Sequence, residues 1–396
     1  MKGIKTFRAI PRSVWMLGLV SLFMDISSEM IHSLLPVFLV VGLGASALSL
    51  GVIEGIAEST ALITRVFSGF LSDRSGKRKG LAVAGYAMGT LTKPLFAVAN
   101  GVGLVLAARF LDRIGKGIRG APRDALLADV TTPEQRGAAF GLRQSMDTAG
   151  AFIGPVLASI LMLATSDSFR TVFWIAVLPG VMAVAILALG VQEPEHRREP
   201  GQASPVKLTD IRKLGRSYWL IVGFGSVFTL ARFSEAFILL RAQDLGVQPS
   251  LVPFFMVLMN VVYTFSAYPV GVLSDKIGRM GMLAAGCIVL MASDVLFAVA
   301  SGYVLVAAGA AMWGLHMGLT QGILSTLVAD TSHENLRGSA FGIFSLATGV
   351  SMLLASGLAG WLWDSSGPAS TFWAGAVFAL VGYAGLLARR KHLIYR

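Results

Sequence analysis

Ionisable side chains inside long apolar stretches are the residues of this chain best suited to chemistry. One stretch carries Asp25, Glu29 and His32 at steps of four and three, which in a helix places all three on one face. A second carries Glu54, Glu58 and Arg65 on a shared face by the same rule. A third carries Arg109, Arg113, Lys116 and Arg123. At about 100° per residue these four fall within a stripe about 80° wide, and Arg119 lies in the same segment. Arg143 and Asp147, four apart, can pair directly, and so can Arg232 and Glu235, three apart.

A charge at mid-bilayer costs about 3 kcal/mol even on lenient scales, so its default reading is functional. Three kinds of chemistry compete. Burial favours a neutral carboxyl and a nearby guanidinium favours the carboxylate. A carboxyl that alternates between an arginine and water therefore takes up and releases a proton, for which Asp25, Glu29, Glu58 and Asp147 are candidates. The basic stripe could instead receive an anion. Asp25, Glu29 and His32 are also competent metal ligands, though carboxylates with a single histidine at helical spacing are weak grounds for a metal site, and none is assigned. The remaining cavity candidates are Glu54, Arg109, Lys116, Arg119, Arg232 and Glu235, with His32 among them. A structural role runs alongside: acidic residues on the first two helices neutralise the basic fourth. In the later part of the chain Asp294, His316 and Gln321 are isolated, and the first two read as satisfied or rim-exposed polar groups. Trp313, Phe228, Phe233, Tyr263 and Met317 are apolar candidates for shaping a cavity.

The elements that must position these residues are membrane helices. The chain has 396 residues, 55% apolar and 14% charged, against about 25% charged in soluble domains. Apolar runs of about 20 residues cross a bilayer, and in lipid they become helices because every backbone group must be satisfied internally. Twelve such helices are expected, near 13–37, 47–71, 80–99, 102–128, 137–164, 170–190, 217–241, 250–273, 281–300, 302–328, 338–363 and 370–389. The first run is too long and too polar at its centre for a cleaved signal peptide. The net charge of +11 sits largely in short connecting segments, which suits a membrane surface better than nucleic acid. A single cysteine, Cys287, excludes an internal disulfide. No Walker loop, HExxH or nucleophile elbow occurs, and Gly115-Lys116-Gly117 lacks the strand-and-turn context of a phosphate loop. An enzyme is not expected, nor is a cofactor.

Lysine and arginine crowd alternate connections, while those near 42–46, 100–101, 301 and 364–369 have none. Both termini are therefore expected in the cytosol. Residues 191–216, with Pro194, Pro200 and Pro205 and many charges, read as a linker between bundles at 1–190 and 217–396. The halves repeat one another. The nine residues Gly69 to Lys77 (GFLSDRSGK) return as Gly271 to Arg279 (GVLSDKIGR), 202 positions on. Asp129, Arg136, Gly137, Phe140 and Gly141 return as Asp330, Arg337, Gly338, Phe341 and Gly342 at a spacing of 201. Duplicated apolar halves of this kind can rock against each other. Glycines four apart, Gly137/Gly141, Gly150/Gly154 and Gly338/Gly342, suit close helix approach.

These features resemble the major facilitator superfamily along the whole chain. Gly69, Asp73, Arg74 and Gly76 are similar to the family's motif A, with Gly271, Asp275, Lys276 and Gly278 as its second copy. Arg113 to Ala121 resembles motif B, with Lys116 where glutamine is usual. Gly141, Gly150, Gly154 and Pro155 have the spacing of motif C, whose closing glycines are Ala158-Ser159 here. The resemblance implies a twelve-helix, all-α membrane protein of two pseudo-symmetric six-helix bundles, working as a monomer in a prokaryotic inner membrane. It implies alternating access, with the motif A carboxylates as latches between conformations and Arg113 as the partner that switches during proton transfer. Motif C points to antiport, hence proton-coupled export of a small organic solute. An anion or metal complex is the alternative cargo, and a ligand sensor without turnover is the alternative class.

Overall fold

The computed structural model describes residues 11–75, 78–132, 135–193, 214–332 and 336–394, and no strand occurs among them. Twelve helical stretches follow in order. They are α1 Arg12–Gly42, α2 Ala47–Ser75, α3 Arg78–Val98, α4 Val102–Asp129, α5 Arg136–Ala164, α6 Phe169–Gly190, α7 Arg216–Asp244, α8 Pro253–Ile277, α9 Arg279–Val299, α10 Tyr303–Asp330, α11 Arg337–Ser366 and α12 Pro368–Ile394. Each expected helix has its counterpart, displaced by a few residues at the ends. Ten of the stretches contain a run long and apolar enough to cross a membrane. The two others, α4 and α8, are 28 and 25 residues long, which at about 1.5 Å per residue also exceeds the hydrocarbon thickness. In α4 the charges Arg109, Asp112, Arg113, Lys116 and Arg119 depress the apolarity, and the described apolar run of α8 is Pro253–Ala267.

Contacts group the described residues into two compact units. One holds the chain up to Leu34 and from Thr60 to Glu193; the other holds Leu35–Ser59 and the chain from Leu214 on. The expected linker falls mainly on residues 194–213, outside the described ones. The segment Leu35–Ser59 joins the second unit because the chain turns within α1. The Ser33 N–H and hydroxyl both donate to the Glu29 carbonyl, at 3.1 and 2.7 Å. Pro36 has no N–H to continue the ladder, and the helix closes in a π turn over Phe38–Gly42. In the second unit, Ala47 and Leu48 donate their N–H groups to the Asp364 carboxylate at 3.0 and 2.8 Å. That carboxylate caps the first turn of α2 from a distant helix.

α7 breaks at the repeat-equivalent depth, but without a proline. Its first part ends at Ala231 and its second begins at Ala236. Ser234 holds the break together. Its N–H donates to the Ser356 hydroxyl at 3.2 Å, while its own hydroxyl accepts from Ala236 N–H at 3.3 Å and donates to the Glu54 carboxylate at 3.4 Å.

Small residues bring the helices of the first unit together. A Cβ at Gly150 would stand 2.6 Å from the Leu22 carbonyl oxygen, and one at Gly154 2.9 Å from that of Ile26. These two glycines thus seat α5 against the face of α1 that carries Asp25 and Glu29, with Pro155 accommodated inside α5. Gly85 and Gly115 do the same for α3 and α4: a Cβ on Gly115 would lie 2.8 Å from the Gly85 carbonyl oxygen. Gly137 and Gly141, by contrast, have open space around them, so the close-approach role expected of that pair is absent within the unit. Gly278, at φ +87°, starts α9 in a conformation that disfavours a side chain.

Overpacking at a seated glycine forces helices apart. Gly154→Leu is expected to lower stability by about 1–3 kcal/mol in thermal unfolding of the purified protein, whereas Gly141→Leu should leave the midpoint unchanged. Equal effects of the two would contradict the seating.

Candidate functional site

The charged faces of α1, α3, α4 and α5 converge in the first unit. Their centre is Asp112, whose side chain is 3% exposed. Its Oδ1 lies 3.0 Å from Lys93 Nζ, its Oδ2 lies 3.5 Å from His32 Nε2, and Arg113 Nε stands 4.0 Å from Oδ2. Lys93 is fully buried and also donates to the Ser28 hydroxyl at 3.1 Å. One carboxylate therefore neutralises a lysine, orients an imidazole and faces a guanidinium, which is what makes so many charges tolerable away from water.

From this hub the acidic face of α1 and the basic stripe of α4 run past one another in register. His32 Nδ1 is 3.5 Å from the Glu29 carboxylate, and Arg113 reaches the imidazole at 3.3 Å. Arg109 acts electrostatically on His32, Lys116 and Arg113 on Glu29, and Arg119 on Asp25. Arg119 also stacks over the Tyr86 ring at 4.8 Å. Lys116 is exposed, while Arg109, Arg113 and Arg119 are buried. At the end of the row, the Asp25 carboxyl faces that of Asp147. Asp147 accepts from Arg143 at 3.4 Å and stands 3.9 Å from Arg123. The i,i+4 pairing of Arg143 and Asp147 expected from the sequence is thus present, and Asp147 also reaches two neighbouring helices.

Glu54 and Glu58, on α2, fall in the other unit, where the Glu54 carboxylate accepts from the Ser234 hydroxyl at 3.4 Å. Arg232 and Glu235 flank the α7 break, Arg232 with its guanidinium 6.0 Å above the Phe228 ring. The Tyr263 hydroxyl donates to Gln321 at 3.2 Å. Asp294 and His316 are neither rim-exposed nor satisfied by side-chain partners. Both are 0% exposed, and neither carboxylate oxygen of Asp294 has a hydrogen-bond partner among the described residues.

Each unit also carries one matched ion pair. Arg78 at the start of α3 binds Asp129 at the end of α4, and Arg279 at the start of α9 binds Asp330 at the end of α10. The four residues are related by the 201-residue repeat. Asp73, Arg74, Gly76, Gly271, Asp275 and Lys276 lie, wholly or in their side chains, outside the described residues. Gly69 packs loosely on Ala121.

The family model for the Major Facilitator Superfamily matches this chain twice, over residues 17–241 and 220–393. The chain is 33% identical over 393 residues to an uncharacterised MFS-type transporter, MJ1317, of Methanocaldococcus jannaschii, covering 98% of this chain and 96% of that one. The chain belongs to the major facilitator superfamily. It is accordingly a multi-pass membrane transporter and not an enzyme. Among more distant members of the superfamily, the multidrug resistance protein MdtH of Cronobacter sakazakii is 24% identical over 364 residues, covering 91% of this chain and 87% of that protein. A crystal structure of the nucleoside transporter NupG has the same fold, with TM-score 0.82 at 13% identity, covering 95% of this chain and 99% of NupG. At that identity the likeness concerns the fold alone.

Lys93 and Asp112 were not singled out from the sequence, yet they anchor the site. Lys93 was detectable as a lysine inside an otherwise apolar run; Asp112 was masked by the basic residues around it. Removing one partner of a buried pair strands the other. Lys93→Met is expected to cost about 3–5 kcal/mol by thermal unfolding, and adding Asp112→Leu should recover most of that loss. A double variant as unstable as the single one would show that the pair is not what holds these helices.

Proposed function

We propose that this transporter exports a small organic solute in exchange for protons by alternating access. The single observation that carries the reading is the Asp25–Asp147 carboxyl pair in the first unit, flanked by Arg119, Arg123 and Arg143. An ionised carboxylate can only accept hydrogen bonds. Two carboxyls side by side therefore associate when one proton lies between them, and separate when guanidinium groups take over both. That gives a proton-dependent choice between two arrangements of α1, α4 and α5. Glu29, Glu58 and Arg113 are the further members of this relay in our reading, and His32, Glu54, Arg109, Lys116, Arg119, Arg232 and Glu235 the groups that meet the solute.

The broken helices support the reading. α1 and α7 are interrupted at repeat-equivalent depths, beside Glu29 and His32 in one and Arg232 and Glu235 in the other. Discontinuous helices at the midplane are a recurring way of building solute sites in transporters. The distant likeness to a multidrug resistance protein favours export, as does the Gly150, Gly154, Pro155 spacing in α5. The Arg78–Asp129 and Arg279–Asp330 pairs serve as latches whose strength differs between conformations. Two six-helix bundles joined by the 191–216 linker, both termini in the cytosol, a prokaryotic inner membrane and a monomeric state complete the proposal.

The alternative cargo is an anion or a metal complex, which the basic residues of α4 would receive.

A thermal-shift screen of small solutes on purified protein should yield hits, and each hit is then carried into proteoliposomes with a pH-sensitive dye inside. Efflux is expected to move protons in the opposite direction, and Asp25→Asn or Asp147→Asn should lower gradient-driven flux at least tenfold while sparing solute counterflow. Flux indifferent to an imposed pH gradient would overturn the proposal.

A further inference from the structure

Among the described residues, the second unit contains a buried acid that no counter-charge accompanies. Asp294, on α9, is 0% exposed and neither of its oxygens has a hydrogen-bond partner among the described residues. Its surroundings are aromatic. Four rings close on one another: Phe233 lies 5.6 Å from Trp313 and 5.5 Å from Phe372, while Phe297 lies 6.5 Å from Trp313 and 5.0 Å from Phe372. Phe297 is one helical turn from Asp294. A Cβ on Gly375 would stand 2.7 Å from Asp294 Oδ2 and 2.9 Å from Phe233 Cε1, so the carboxyl abuts this ring cluster with only a glycine between it and α12.

The internal repeat sharpens the anomaly. Lys93 and Asp294 are 201 positions apart, and so are Asp112 and Trp313. In the first unit these positions hold a buried lysine and the carboxylate that neutralises it, 3.0 Å apart. In the second they hold an acid and an indole. The ion pair of one half is replaced in the other by a carboxyl without a cation among the described residues.

Few charged or titratable groups are placed to help. The elements around Asp294 offer His316 on α10, Tyr383 on α12, Tyr263 on α8, and Arg232 and Glu235 at the α7 break, and none of them bonds either oxygen. Arg241 comes near the end of α9, but its guanidinium is committed to the carbonyls of Phe297 and Ala300 at 3.2 and 2.8 Å and to Asp244. An isolated ionised carboxylate is intolerable in such a place, and the group neutralises instead. A metal ion needs more oxygen ligands than two, and among the described residues no cluster of three or more His, Cys, Asp or Glu provides them.

We propose that Asp294 is a proton-binding site of the second unit, loaded while the carboxyl is buried and emptied when water reaches the aromatic box. Loading makes one O–H bond between a carboxylate oxygen and a proton delivered by water, and release reverses it. The second unit thus has proton chemistry of its own, separate from the charged network of the first. Its part in driving transport rests on the proton-coupled reading above; the protonation itself does not.

Infrared difference spectroscopy of purified protein in an ester-free detergent tests this without any solute. Near pH 7, well above the ordinary carboxylate range, wild type minus Asp294→Asn should show the carbonyl stretch of a protonated carboxylic acid without a hydrogen bond. Asp25→Asn should retain that band. Wild-type protein grown with carbonyl-labelled aspartate should show it shifted, which keeps the test independent of whether the variant folds. A spectrum with only carboxylate bands to assign to Asp294 would overturn the proposal. The band present with flux indifferent to pH would remove the antiport reading and leave this one standing; the band absent with Asp25-dependent proton movement intact would do the reverse.

Discussion

Everything in the first unit depends on the need to pair a charge that has been taken out of water. Lys93 cannot sit fully buried without Asp112, and Asp112 in turn positions His32 and faces Arg113. The cost of an unpaired ion in an apolar medium is far larger than the net stabilisation that pairing contributes. The network is therefore better understood as a constraint on which arrangements of α1, α3, α4 and α5 are possible than as a source of stability. A proton, an anion or water can each substitute for one partner, so the same constraint is what makes the helices responsive to their surroundings.

Local backbone features place these groups. Gly85 with Gly115, and Gly150 with Gly154, let four helices approach closely enough for side chains of ordinary length to meet. The interruption at Ser33–Pro36 ends the helical run of α1 directly after His32 and carries the next segment into the second unit, where Ser234 and Asp364 receive it. The second unit uses a different solution to the same problem. Asp294 stands beside a cluster of rings, where its counterpart Lys93 stands among ions.

Much of the fold was readable in the sequence because lipid imposes simple rules. Apolar runs had to be helices, and the repeat had to be a duplicated bundle; both hold. The acidic face of α1 and the basic stripe of α4 were also readable, since helical spacing alone puts Asp25, Glu29 and His32 on one side and Arg109, Arg113 and Lys116 on one side. What periodicity cannot supply is the partner across a helix boundary. Glu54 shares a face with Glu58 and Arg65, but its contact with Ser234 joins positions 180 residues apart. Asp112 stands among basic neighbours in the sequence, and its partners Lys93 and His32 lie on other helices. The isolation of Asp294 is a property of three helices together, and no single stretch contains it.

The central claim is that carboxyls in the first unit exchange a proton for the transported solute. Calorimetric titration of an identified solute in buffers of differing ionisation enthalpy counts that proton directly. The claim predicts that wild-type protein releases close to one proton per solute bound and that the Asp25→Asn, Asp147→Asn double variant releases none. A binding enthalpy independent of the buffer in the wild-type protein would contradict it.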